Sequence, residues 1–155
     1  MPFMMQLPRP HLIAALATAI VLSGPVLGEE GENVNADELI VQMGLMQRHL
    51  QKLDLSVQAG NETLAGFYIH ELEELIETVA EAGVVYHGYP VGAMTEAQLP
   101  PAIEAIEAAL GSGADADAAV GELVDRCNAC HAATDRPWLV ITRARGNPFN
   151  QDFGP

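Results

Sequence analysis

The chain has 155 residues, enough for one domain of ordinary size. Apolar residues make up 49% of it, so it can bury a core and is not disordered by composition. Seven basic residues face 21 acidic ones, a net charge of −14, which argues against nucleic acid or an anionic lipid surface as the main partner because phosphate binding needs Lys and Arg. Aromatic residues are only 5%, while Ala, Leu, Glu and Gln are plentiful, which favours helix over sheet. Two cysteines are too few for a disulfide framework.

Residues 1–28 read as a secretory signal peptide. Met1 to His11 carries Arg9 and no acid, Leu12 to Leu22 is apolar except for Thr18, and Ser23-Gly24-Pro25 breaks the run before Val26-Leu27-Gly28. The run falls well short of the roughly 20 apolar residues that a bilayer span needs. Export is therefore expected, to a periplasm in a Gram-negative source, with no membrane span in the mature chain. Losing Arg9 leaves six basic against 21 acidic residues, a mature charge of −15.

The rest divides into a helical domain over residues 29–135 and a tail over 136–155. Asn35 and Glu38 form a capping-box pattern. From Asp37, the apolar positions Leu39, Met43, Met46, Leu50, Leu53 and Val57 step by three and four, one stripe of a helix running to about Gln58. Gly60 stops it and Asn61 caps the next. Leu64, Tyr68, Leu72, Leu75, Ile76 and Val79 stripe a second helix, which ends at Gly83. The short link makes the two an antiparallel hairpin. Val84 to Gln98 is a connection containing Gly88, Pro90 and Gly92, with a short turn at Thr95–Gln98. Pro100-Pro101 suits a helix start; Ile103, Ile106, Ala109 and Leu110 follow, until Gly111-Ser112-Gly113. A last helix begins near Asp115 with Val120, Leu123, Val124, Cys127, Cys130 and His131. Arg136-Pro137 ends it. Trp138 to Thr142 reads as a short extended run, and the remainder as a tail without regular structure. Four striped helices bury their stripes as an all-α antiparallel four-helix bundle.

Cys127-Asn128-Ala129-Cys130-His131 is C-x-x-C-H, the attachment pattern of c-type haem. On a helix, Cys127 and Cys130 lie one turn apart, and Cys127 and His131 share a face at i, i+4. Two thiols can then reach the two vinyl groups on one porphyrin edge while the imidazole reaches the iron. A redox dithiol would sit at a helix start after a strand. Structural zinc would need two more ligands in a comparable cluster. A disulfide across C-x-x-C inside a helix has poor geometry.

A secreted four-helix bundle with one C-x-x-C-H on its last helix resembles the class II c-type cytochromes, the cytochrome c-prime and low-spin c-556 group. The resemblance covers roughly Asp37–Asp135. The chain departs from the family pattern after the motif: Ala132 stands where a basic residue is common, and 23 further residues follow. That tail is expected to fold back over the bundle or the haem edge, because exposing Trp138-Leu139-Val140-Ile141 would be costly. The resemblance implies haem c held by Cys127, Cys130 and His131. It places the sixth iron position on the first helix, where Met43 is the first candidate and Met46 or His49 the alternatives. A Met there implies an electron carrier; an open or apolar site implies a gas-binding protein for NO or CO. A haem bundle with a structural or assembling role is a third reading. A homodimer through the first helix pair is also implied by the resemblance.

The other histidines and cations read as surface. His70 lies among Glu73, Glu74 and Glu77, and His87 lies in a Gly/Pro-rich stretch. Arg48, Lys52 and Arg126 read as salt-bridge partners or, secondarily, as propionate partners. No Ser/His/Asp set, phosphate loop or catalytic carboxylate pair appears, so no enzyme is read. The acidic surface favours docking on a redox partner with a basic face.

Overall fold

The computed structural model describes residues 36–155; the signal-peptide reading and the Asn35 cap lie outside them. Five helices form the described chain: α1 (Ala36–Gln58), α2 (Glu62–Glu81), α3 (Val91–Gln98), α4 (Pro100–Ser112) and α5 (Ala116–Ala133). α1 packs on α2 and α5, and α4 packs on α2 and α5, so the four longer helices surround one core. None of the described helices is long and apolar enough to cross a membrane.

The helices start and stop where side chains satisfy their orphan backbone groups. Asn61 accepts from the Leu64 amide (3.0 Å) and Asp115 from the Ala118 amide (3.0 Å). Gly113 closes α4 with a φ of 71°, a conformation that a side chain would strain. The stripes read from the sequence meet in the core: Leu39, Met46, Leu50 and Leu53 from α1, Tyr68, Leu72, Ile76 and Val79 from α2, Ile103 and Ile106 from α4, and Val120, Leu123 and Val124 from α5.

One part differs from the sequence reading. The turn expected at Thr95–Gln98 is the end of a longer helix, α3, which begins at Val91 and packs on α2, α4 and α5. Its first turn lies so close to α2 that a Cβ on Gly92 would stand 2.8 Å from the Val79 carbonyl and 2.9 Å from the Val84 amide. Only glycine permits that approach, and tertiary packing there outweighs the weak local helix signal. The tail has no helix or strand and lies back against the helices, where it is fixed at several points. Gln151 Oε1 accepts from the Tyr68 hydroxyl (2.8 Å) and from Lys52 Nζ (3.0 Å). Asn61 donates to the Gly154 carbonyl (2.6 Å), and Phe153 is buried in the core.

The strongest fixing point is Asp54, whose side chain is 2% exposed. It accepts from Arg143 Nε (2.9 Å) and Nη2 (2.5 Å), from the Ala144 amide (2.7 Å) and from Gln58 Nε2 (2.8 Å). Arg143 also bonds the carboxylate of Asp117 and its backbone carbonyl. Burial pushes the Asp54 carboxyl up, but the bonds from Arg143, Ala144 and Gln58 outweigh it and hold the group below its ordinary value of 3.8.

Arg143→Met leaves a buried carboxylate without its counter-charge and is expected to cost about 3 kcal/mol in urea unfolding. Asp117→Asn, at a side chain 60% exposed, should cost less than about 1 kcal/mol. Equal costs would contradict this account. Because the Asp54 value is depressed on folding, its contribution is present above pH 3.8 and is lost as pH falls through the lowered value. Asp54→Asn should be less stable than the parent near neutral pH and should lack that part of the acid-induced loss, as urea titrations across that range would show.

Candidate functional site

The last two turns of α5 carry Cys127, Cys130 and His131, and all three line one cavity of about 510 Å³. α1 supplies Leu39, Met43, Met46 and Leu50 to its wall. Leu72 and Ile76 come from α2, Val91 and Met94 from α3, and Ile103 from α4. The tail completes it with Trp138, Leu139, Val140 and Ile141. Trp138 is 73% exposed and Val140 and Ile40 are also exposed, so these residues form the rim.

Among the described residues the lining holds no Asp or Glu, although the protein has 21. Arg136 is the one Lys or Arg among the described residues of the lining. The guanidinium of Arg136 lies 4.5 Å from the centroid of the Tyr86 ring, within cation–π range, and makes no ion pair among the described residues.

The chain reaches the rim through a sharp turn directly after the motif. The Arg136 amide donates to the His131 carbonyl (2.8 Å) and the Asp135 amide to the Ala132 carbonyl (3.3 Å). This is the Schellman pattern, with Asp135 at a φ of 59° where glycine is usual. The Asp135 carboxylate accepts from the Tyr89 hydroxyl, which ties the turn to the Tyr86–Tyr89 loop. The turned chain brings the Leu139 carbonyl to 2.8 Å from His131 Nδ1. A carbonyl only accepts, so Nδ1 carries the proton and the neutral ring keeps its lone pair on Nε2.

Both thiols are unpaired. Burial pushes Cys127 up to about 11, with a further rise from neighbouring Cys130, and burial also raises Cys130. These are neutral thiols against an apolar wall, the opposite of the depressed thiolates of disulfide exchange. Among the described residues, no group of three or more His, Cys, Asp and Glu side chains converges to hold an ion.

The three residues considered for the first-helix position part company. Met43 and Met46 line the same cavity as the motif; His49 does not. His49 turns to Tyr68, ring centroids 5.8 Å apart, and its buried Nδ1 has no hydrogen-bond partner. Burial lowers its basicity, against the pull of Glu71 and with the push of Lys52 and Arg48. Elsewhere, His70 lies 3.4 Å from Glu74, Arg126 pairs with Glu122 (2.7 Å), and His87 is exposed. Lys52 and Arg48 lie over the Phe149 ring, away from the cavity lining. Arg136, Asn128 and the Asp54–Arg143 pair were not singled out from the sequence as site or anchoring residues. No local signal marks them, since each acts through a partner brought near by the fold.

Comparison of the chain with models of protein families, with curated proteins and with solved structures found no match.

In the chain with free thiols, Cys127 should alkylate slowly. A rise from 9.0 to about 11 lowers its thiolate fraction near pH 8 by about a hundredfold. Iodoacetamide rates followed by mass spectrometry, compared with a small thiol, check this. A Cys127 rate equal to that of the small thiol would contradict the burial described.

Proposed function

We propose that the chain is an exported monohaem c-type cytochrome that carries electrons. The observation that carries the reading is the convergence of Cys127, Cys130 and His131 on one apolar cavity, with the His131 ring held in the tautomer that leaves Nε2 free. A metal-bound histidine characteristically gives its other N–H to a carbonyl or carboxylate, and His131 does so here.

The residues fit haem c in three further respects. The cavity volume lies within the range of roughly 300–1,000 Å³ usual for cofactor sites. Its wall is apolar and free of acids, which suits a flat apolar body bearing carboxylates. The i, i+3 spacing of the two thiols suits attachment to one porphyrin edge, and their burial disfavours disulfide exchange. Cys127 and Cys130 would hold the porphyrin edge, His131 the iron, and Met43 the sixth position, with Met46 as the alternative. Haem bound in this way supplies a one-electron couple, with its potential set by axial ligands, burial and nearby charge. The helices exclude water from the cavity floor, and the acidic surface, −14 for the whole chain, steers docking toward a basic redox partner.

Expression with its leader in a host that attaches haem c should yield a red exported protein heavier by one haem. Cys127→Ser with Cys130→Ser should abolish the covalent gain. A colourless exported product without added mass would end this reading. In the loaded protein, Met43→Leu should convert a low-spin ferrous spectrum into one that shifts rapidly under CO, while Met46→Leu should not. A parent that already binds CO would make the protein a gas-binding module instead.

A further inference from the structure

We propose that Asn128, inside the C-x-x-C-H motif, is a positioning residue that fixes the imidazole of His131 by holding the returning chain in place. Its carboxamide donates from Nδ2 to the Ile141 carbonyl (3.0 Å), and its Oδ1 accepts from the Ile141 amide (2.7 Å). Both backbone groups of one residue are thus bound by one side chain, as a neighbouring strand would bind them. Two residues earlier, the Leu139 carbonyl accepts from His131 Nδ1 (2.8 Å), and the Leu139 amide donates to the Arg136 carbonyl (3.0 Å). The Leu139 carbonyl therefore sits between two fixed points, the turn at Arg136 behind it and the Asn128 clamp ahead.

The residue type follows from the task. Only a carboxamide offers a donor and an acceptor fixed side by side; a carboxylate cannot donate, and Ala can do neither. Asn is a poor helix former, because its side chain competes for backbone groups. Here that tendency is turned outward, to the backbone of another segment. The rim residues Trp138, Leu139 and Val140 are too exposed to be held by burial alone, so the hydrogen-bonded clamp sets their place. The consequence for His131 is a fixed ring plane and a single tautomer.

The inference rests on the reading of His131 as an iron ligand for its function, but the clamp itself can be read without haem. Asn128→Ala and Asn128→Asp are compared with the parent as the full exported chain. Gln151→Ala, which loosens the far end of the tail only, serves as the control. In Asn128→Ala, hydrogen exchange at the Ile141 amide is expected to rise about tenfold or more. Acrylamide quenching of Trp138, the chain's one tryptophan, should increase. The ¹⁵N shifts of the His131 ring, read in chain without haem, should change from one tautomer to a mixture. Asn128→Asp keeps the acceptor for the Ile141 amide and should fall between the two. In the haem-loaded protein the midpoint potential of Asn128→Ala should rise, because an imidazole that no longer donates to a carbonyl is a weaker electron donor. Gln151→Ala should leave all four readouts at parental values. Unchanged Ile141 exchange in Asn128→Ala would overturn the clamp. Raised exchange with an unchanged His131 tautomer would overturn the positioning role, as would a Gln151→Ala effect of equal size. Failure of haem to attach in every variant would overturn the cytochrome reading alone, because exchange, quenching and ring shifts still judge Asn128.

Discussion

A carboxylate buried on the inner face of the first helix decides how the whole chain is arranged. Asp54 has almost no contact with solvent, and an isolated charge there would be strongly destabilising. Its counter-charge stands 89 positions later, on Arg143. The tail is therefore part of the folded domain. Once Arg143 and Ala144 are bound to Asp54, the preceding residues have to cross from the end of α5 to the C-terminal part of α1. Ile141, Val140 and Leu139 lie on that path, and they become one wall of the cavity. A buried ion pair is weak evidence of net stability; its effect here is on register, because it specifies which residues of the tail reach the rim.

The distribution of charge carries the second constraint. A chain with three times as many acids as bases could easily have placed a carboxylate beside the motif. None of the described ones lines the cavity, and the Glu side chains of α2 are on its other faces. The rise of the two thiols thus has burial as its main cause, with Cys130 adding to it at Cys127. Arg136, stacked on Tyr86, gives the rim a single positive group against a negative protein. An apolar interior with one cation at the mouth favours an apolar body with an anionic edge, and disfavours a cation or a polar sugar.

Much of the fold is legible in the sequence because it is local. The four long helices follow from apolar residues repeating at three and four, and their ends from Asn61, Asp115, Gly60 and Gly113, where a cap or a left-handed residue acts on its immediate neighbours. The motif is legible for the same reason: its three residues lie within five positions on one helix face. What was missed is long-range or lacks its usual residue. α3 depends on Gly92 meeting α2, and a glycine in a short Gly/Pro-rich stretch reads as loop. The turn after α5 carries Asp135 where glycine would have announced it. His49 sits at the edge of the α1 stripe, so periodicity alone could not decide between the cavity and Tyr68. Asn128 and Arg143 look like ordinary polar positions until their partners arrive from the tail.

The place of the motif at the very end of α5 then acquires a physical reason. Had the helix continued, Leu139 would have stood eight residues along it from His131, about 12 Å away at 1.5 Å per residue. The helix instead stops at Ala133, two residues past the histidine, and the left-handed Asp135 reverses the chain. Pro137 prevents its resumption. The same eight residues then close to a 2.8 Å hydrogen bond. A longer helix would still carry two cysteines and a histidine on one face, but their imidazole would lose the Leu139 carbonyl as acceptor and the cavity its outer wall. The short distance between His131 and the chain reversal is thus a structural constraint on the imidazole in its own right, separate from the spacing inside the motif.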